Sequence, residues 1–217
     1  MRLRPVKNAA ERIAGHPEVI TTIDRNETKR LDVVFTGGRP LHLEIGAGKG
    51  RFAHTLASRR PDIDCIAVEK YDYAIVKALD KVLSAPLENL HLVRMDAEKI
   101  TDCLDPSSIA VIHLNFSDPW PKARHEKRRL THPRFLKRFK TLLEPGGTVE
   151  FKTDNRVFFE YSLLTLQHAG FMFEDVCLDL HHEDEADRDN IMTEFEEKYG
   201  KDGPVYKIRV RYEGEKT

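Results

Sequence analysis

The chain has 217 residues, room for one large α/β domain and too few for two. Hydrophobic residues make up 40% and charged residues 33%, a globular balance. No apolar run reaches the length of a membrane span, and no apolar core follows the basic start to make a secretory signal. Net charge is −1, but its distribution is polarised: nine Lys and Arg against Glu126 alone between Lys122 and Lys140, six acids against one Arg between Asp179 and Asp189. That pattern predicts a basic face and an acidic one.

Residues 1–38 are polar and broken by Pro5, Gly15, Pro17, Gly37 and Gly38. They read as a basic N-terminal extension, partly irregular, with room for a short helix. From residue 39 to 217 strand-like and helix-like segments alternate. The predicted strands are Leu41–Ile45, Cys65–Glu69, Leu90–Met95, Val111–Phe116, Val149–Lys152, Phe171–Leu178 and Tyr206–Tyr212. Helices are expected over Arg51–Arg60, Tyr71–Ser84, His132–Leu143 and Arg156–Ala169, the third stopping at Pro145-Gly146-Gly147. Alternation of this kind predicts a doubly wound, mainly parallel seven-stranded sheet, the Rossmann-like class I methyltransferase arrangement. Cys65, Cys103 and Cys177 are odd in number and far apart, as free buried thiols of a cytoplasmic protein would be. The 27 residues between the last two strands are long for a hairpin, and such loops usually serve function.

The first motif is Glu44-Ile45-Gly46-Ala47-Gly48-Lys49-Gly50, between the first strand and first helix. Its G-x-G-x-G spacing departs from the G-x-G-x-x-G of dinucleotide sites. Glu44, two residues ahead of the first glycine, would repel a pyrophosphate and attract a cationic amino-acid tail bearing a sulfonium. Glu69 ends the second strand, where a carboxylate can accept ribose hydroxyls, and Asp96 ends the third, where it can accept from an adenine amino group. Glu69 alone could be a surface acid. The three in register point to S-adenosylmethionine.

The fourth strand runs into Asn115-Phe116-Ser117-Asp118-Pro119-Trp120-Pro121-Lys122. Two prolines two apart stiffen the backbone that projects Asp118, the sole Trp and Lys122 from the carboxyl edge. This segment resembles the hallmark of the bacterial tRNA (guanine-N7-)-methyltransferase family. Glu44–Gly48, Met95-Asp96-Ala97, Lys152-Thr153-Asp154 and Thr193-Glu194-Phe195-Glu196 match it too, so the resemblance spans about Arg39 to Tyr212. It implies methyl transfer from S-adenosylmethionine to N7 of a guanine in tRNA, in the variable loop. It implies that Glu44, Gly46, Gly48, Glu69, Asp96, Ala97 and Asp118 hold or flank the donor and that Asp118 is catalytic. Lys122, Asp154, Thr193, Glu194, Phe195 and Glu196 would then meet the substrate, and Arg124, His125, Glu126, Lys127, Arg128 and Arg129 would touch RNA. No metal is implied, and the chain would work as a monomer or homodimer.

Structural readings stand beside these. Asp154 is also placed to cap the helix that follows, and Thr193 with Glu196 fits a capping box. The run Arg124–Arg129 could be a plain solvated face. It abuts the predicted active edge, though, and Arg134, Lys137, Arg138 and Lys140 follow, with Arg2, Arg4 and Lys7 able to add charge. His181-His182-Glu183-Asp184-Glu185 has no strong metal-ligand spacing. Three rivals remain. A small-molecule methyltransferase would not need Arg124–Arg129. A noncatalytic RNA-binding domain would have lost the donor loop or Asp118. A nucleotide-cofactor oxidoreductase would carry different glycine spacing and no Glu44.

Overall fold

The computed structural model describes residues 6–35, 37–182 and 190–214. Its chain clusters into two compact units, Met1–Leu104 and Asp105–Thr217.

The first unit is a parallel sheet with helices. Its strands are β1 (Ile20–Thr22), β2 (Leu41–Ile45), β3 (Asp64–Glu69) and β4 (Leu90–Arg94). They pair in the order β1-β4-β3-β2, every pair parallel, with Leu43 opposite Ile66 and Cys65 opposite Leu90. All six residues of β3 are buried, because a parallel strand is covered on both faces. Around the sheet lie α1 (Ala9–Ala14), α2 (Arg51–Arg59), α3 (Asp72–Ser84) and the short α4 (Ile100–Cys103). Ile75, Val76, Leu79 and Val82 recur at helical spacing and form the buried stripe of α3. The buried Asn89 amide donates to the carbonyls of Ala57, Arg60 and Ile63, satisfying the end of α2.

The second unit carries β5 (Ile109–Asn115), β6 (Leu143–Thr153), β7 (Met172–Cys177) and β8 (Tyr206–Arg211), ordered β5-β6-β8-β7. β5 and β6 are parallel; β8 runs antiparallel to both β6 and β7. Its helices are α5 (Pro133–Leu142), α6 (Arg156–His168) and α7 (Glu194–Tyr199). Phe139, Phe151, Phe158, Ile208 and Val210 form its core. Cys65, Cys103 and Cys177 are buried, and none of them forms a disulfide among the described residues.

Two expectations need correction. The described residues form eight strands, not seven. The additional one, β1, lies in the predicted extension and pairs Ile20 with Leu92 on β4. Three residues are too few to show alternation. The pairing is secured by tertiary partners: α1 packs on α3 with Arg12 paired to Asp80, and Thr21 Oγ1 lies 2.9 Å from His91 Nε2. Second, Pro145-Gly146-Gly147 does not simply end a helix. α5 stops at Leu142 and β6 starts at once, with the tripeptide forming a bulge where the register jumps from Ile109↔Leu143 to Val111↔Thr148. Gly146 has φ +88°, and a Cβ on Gly147 would sit 2.9 Å from the Glu144 carbonyl, so both positions require glycine. Among the described residues no helix is long and apolar enough to cross a membrane.

Candidate functional site

In the first unit the parallel register gathers the carboxyl ends of β2, β3 and β4 along one rim. Glu44 is the penultimate residue of β2 and only 1% exposed. The amides of Gly46 and Ala47 both donate to the Val68 carbonyl, folding the loop back over β3. Gly46 and Gly48 have φ of +84° and +58°, and a Cβ on either would meet nothing within 4 Å. Gly50 differs: a Cβ there would lie 2.7 Å from Ala78 Cβ. The first two glycines thus leave bare backbone facing open space, as close approach of a ligand requires. The third lets α2 pack against α3.

Glu69 ties this rim together. Its Oε2 accepts from Gly48 N–H at 2.9 Å, and its Oε1 accepts from Lys70 and Tyr71 N–H at 2.7 and 2.8 Å. It therefore fixes the glycine loop, and a ribose diol would share a carboxylate already oriented by the backbone. Asp96 follows β4 and caps the 3-10 turn Ala97–Lys99 by accepting from Glu98 N–H. Its other oxygen receives the Lys70 ammonium at 2.6 Å, which holds the Lys70 pKa above its ordinary value. Lys70 had no signal in the sequence, because its partner is 26 positions away. The rim holds Glu44, Glu69, Asp96 and Ala97.

The remaining predicted residues belong to the second unit. β5 ends at Asn115, and Phe116 N–H donates to the Lys152 carbonyl of β6 at 2.8 Å. Phe116 and Trp120 take φ of +50° and +41°, left-handed conformations that cost a bulky side chain about 1 kcal/mol or more each. Asp118 is exposed between them. Lys122, also exposed, opens a 3-10 stretch, Ala123–Arg128.

That stretch splits the six residues expected to meet RNA. Arg124, Lys127 and Arg128 are exposed, with the Arg128 guanidinium 4.9 Å from the Trp120 ring centre. His125 is half-buried and meets Trp120 edge-on at 5.6 Å. Glu126 turns toward Tyr161; burial, then this carboxylate, raises the Tyr161 hydroxyl to a pKa of about 12. Arg129 donates to the carbonyls of Pro119 and Trp120 at 3.0 and 3.2 Å.

Asp154 is exposed just past β6, and the capping role open to it belongs to its neighbour: Asn155 Oδ1 accepts from Phe158 N–H at 2.9 Å. The capping box at Thr193 is fully formed. Thr193 Oγ1 accepts from Glu196 N–H at 3.0 Å, and Glu196 Oε2 accepts from Thr193 N–H at 3.3 Å. Glu196 is wholly buried and also receives the Lys152 ammonium at 3.0 Å and the Asn190 amide at 2.8 Å. Lys152, itself 5% exposed, donates further to the Asn190 side chain and the Ile191 carbonyl, each at 3.0 Å. One buried ion pair so secures the long late loop and α7 to β6. Of the four matched residues, Thr193 and Glu196 face inward, Glu194 is half-buried and Phe195 is 40% exposed with its ring 5.1 Å from Phe116. Lys152 was visible in the sequence only as a motif letter, since nothing local announces a buried lysine's partner. Arg2, Arg4 and Glu183–Glu185 lie outside the described residues.

Residues 38–208 match the family described as "Putative methyltransferase". The chain is similar to the tRNA (guanine-N(7)-)-methyltransferase of Lactiplantibacillus plantarum, 44% identical over 96% of this chain and 97% of that one. It is likewise similar to proteins of that name from Lysinibacillus sphaericus (42%, 98% of each chain) and Bacillus subtilis (39%, 98% of this chain and 99% of that one). Among solved structures, the 16S rRNA methyltransferase KamB superposes with a TM-score of 0.64 at 14% identity, covering 88% of this chain and 98% of that one. A SAM-dependent methyltransferase from Aquifex aeolicus gives 0.56 at 16%, covering 81% and 84%. Those likenesses establish the expected mainly parallel α/β methyltransferase fold, and the full-length relatives establish more. The chain belongs to the tRNA (guanine-N(7)-)-methyltransferase family.

Proposed function

We propose that this protein transfers the methyl group of S-adenosylmethionine to N7 of a guanine in tRNA, the variable-loop guanine that its family resemblance implies, and that it works in the cytoplasm. Relatives of that name, 44% and 42% identical over nearly the whole chain, support the reaction. The structural observation that carries the donor assignment is the pair of glycines, Gly46 and Gly48, whose bare backbone faces open space beside Glu44 and Glu69. S-adenosylmethionine, when bound, supplies an electrophilic methyl carbon on a positively charged sulfur. Glu44 favours its cationic tail, Glu69 its ribose and Asp96 with Ala97 its adenine.

Guanine N7 has a lone pair and no proton, so the protein need not remove one. The purine becomes positive as it reacts. Asp118 accepts from the N1–H and 2-amino edge, orienting the ring and countering that charge. Its exposure on a strained, proline-stiffened turn suits a group that must meet a large substrate. Lys122, Asp154, Glu194 and Phe195 lie on exposed or half-buried loop and helix ends and serve substrate binding. Thr193 and Glu196 support them from beneath. Arg124, Lys127 and Arg128 bind phosphates. N7 lies on the major-groove edge, which A-form RNA closes to side chains, so the target base must sit in a loop or an exposed tertiary region. Incubating the protein with unmodified tRNA and labelled methyl donor, then analysing nucleosides, tests this. We expect 7-methylguanosine; label in another nucleoside would refute the assignment.

A further inference from the structure

We propose that Arg129 is a positioning residue that holds the Asp118 turn in its strained shape, rather than one of the phosphate contacts its place in the basic run suggests. The inference rests on the proposed role of Asp118. The turn cannot hold itself. Pro119 and Pro121 have no N–H to donate. Phe116 and Trp120 sit at positive φ, so the backbone would relax if released. On one side Phe116 N–H is bonded to the Lys152 carbonyl. On the other, the only groups the Pro119-Trp120-Pro121 backbone can offer, apart from Trp120 N–H, are carbonyls.

Arg129 takes two of these in succession, Nε to Pro119 O at 3.0 Å and Nη2 to Trp120 O at 3.2 Å. A rigid planar fork suits two neighbouring acceptors, and a lysine cannot reproduce it. The guanidinium lies 4.3 Å from the ring centre of Tyr161 on α6, which fixes its plane. Arg129 is half-buried, whereas Arg124, Lys127 and Arg128 are exposed. Asp118 is therefore pinned on both sides, from β6 through Phe116 and from α6 through Tyr161 and Arg129.

Arg129→Lys keeps the positive charge and removes the fork. We expect kcat to fall at least about tenfold, since small misplacements of reacting groups are costly. The tRNA Kd should change less than about twofold, with an unchanged salt slope. Trp120 is the sole tryptophan, so its fluorescence reports on this turn. Its quenching by acrylamide should increase in Arg129→Lys. Tyr161→Leu, which removes the ring under the guanidinium, should act in the same direction, while Tyr161→Phe, which keeps it, should restore wild-type kcat and quenching. Thermal melting of each variant verifies folding, and the Tyr161 pair decides the matter if Arg129→Lys does not fold. Wild-type kcat in Arg129→Lys would overturn the proposal, as would an Arg129→Gln variant, which removes the charge, whose salt slope is flatter by about one with quenching unaltered. If the wild-type protein made no 7-methylguanosine, the reading of the reaction would fail, and Trp120 quenching would still decide whether Arg129 holds the turn.

Discussion

Asp118 and Glu69 show how differently two carboxylates can be used. Asp118 is exposed on a turn that two positive-φ residues distort, and the proposed reaction has it meet the substrate. Asp118→Ala should leave the donor dissociation constant nearly unchanged while slowing methyl transfer about a hundredfold, the usual cost of losing one preorganised electrostatic contact. Single-turnover assays beside donor titration calorimetry separate the two quantities, and near-normal turnover would remove Asp118 from the mechanism. Glu69 instead accepts three backbone N–H groups and holds the glycine loop, beside which the proposed donor would bind. Glu69→Ala should raise the donor dissociation constant by loosening both contacts and spare tRNA affinity. Loss of tRNA binding alone would show that the donor site lies elsewhere.

At the level of elements, β1 depends on a buried histidine. His91 on β4 sits 2.9 Å from Thr21 Oγ1 of β1, and burial lowers its pKa to about 4 from an ordinary value near 6.5. A depressed folded-state pKa means that the unfolded chain binds the proton more readily. The stability linked to His91 is thus complete above about pH 6.5 and is lost progressively as pH falls toward 4, on the order of 3 kcal/mol in all. Thermal melts between pH 7 and 4 should show this slope in the wild type and a shallower one in His91→Gln. Equal slopes would assign the acid sensitivity to other groups. The Lys152–Glu196 pair is another such joint, in which one buried contact sets where the late loop and α7 rest.

For the whole molecule, a net charge of −1 says little about RNA, and the grouping of charge says more. Only exposed cations release counterions from phosphates, so Arg124, Lys127 and Arg128 should carry the electrostatic part of tRNA affinity. Replacing all three with Gln should weaken tRNA binding and flatten the plot of log Kd against log salt by about two to three units. Donor affinity should hold. An unchanged slope would leave this stretch a solvated face.

The sequence by itself determined the class of architecture, since short apolar runs alternating with amphipathic stretches have few ways to bury their surfaces. It also marked the glycine loop and the Pro119-Trp120-Pro121 turn as special, because Gly46, Gly48 and the paired prolines are local backbone requirements written in residue type. The tertiary structure alone decided what depends on partners distant along the chain. It separated Gly50, which serves packing, from its two neighbours, and it gave the cap of α6 to Asn155 instead of Asp154. It added β1 to the sheet, turned Glu196 inward onto Lys152, and set Arg129 against Tyr161 apart from the cations beside it. Local periodicity and charge record what a residue can do. Burial and the choice among competing hydrogen-bond partners are set only when separate segments pack together.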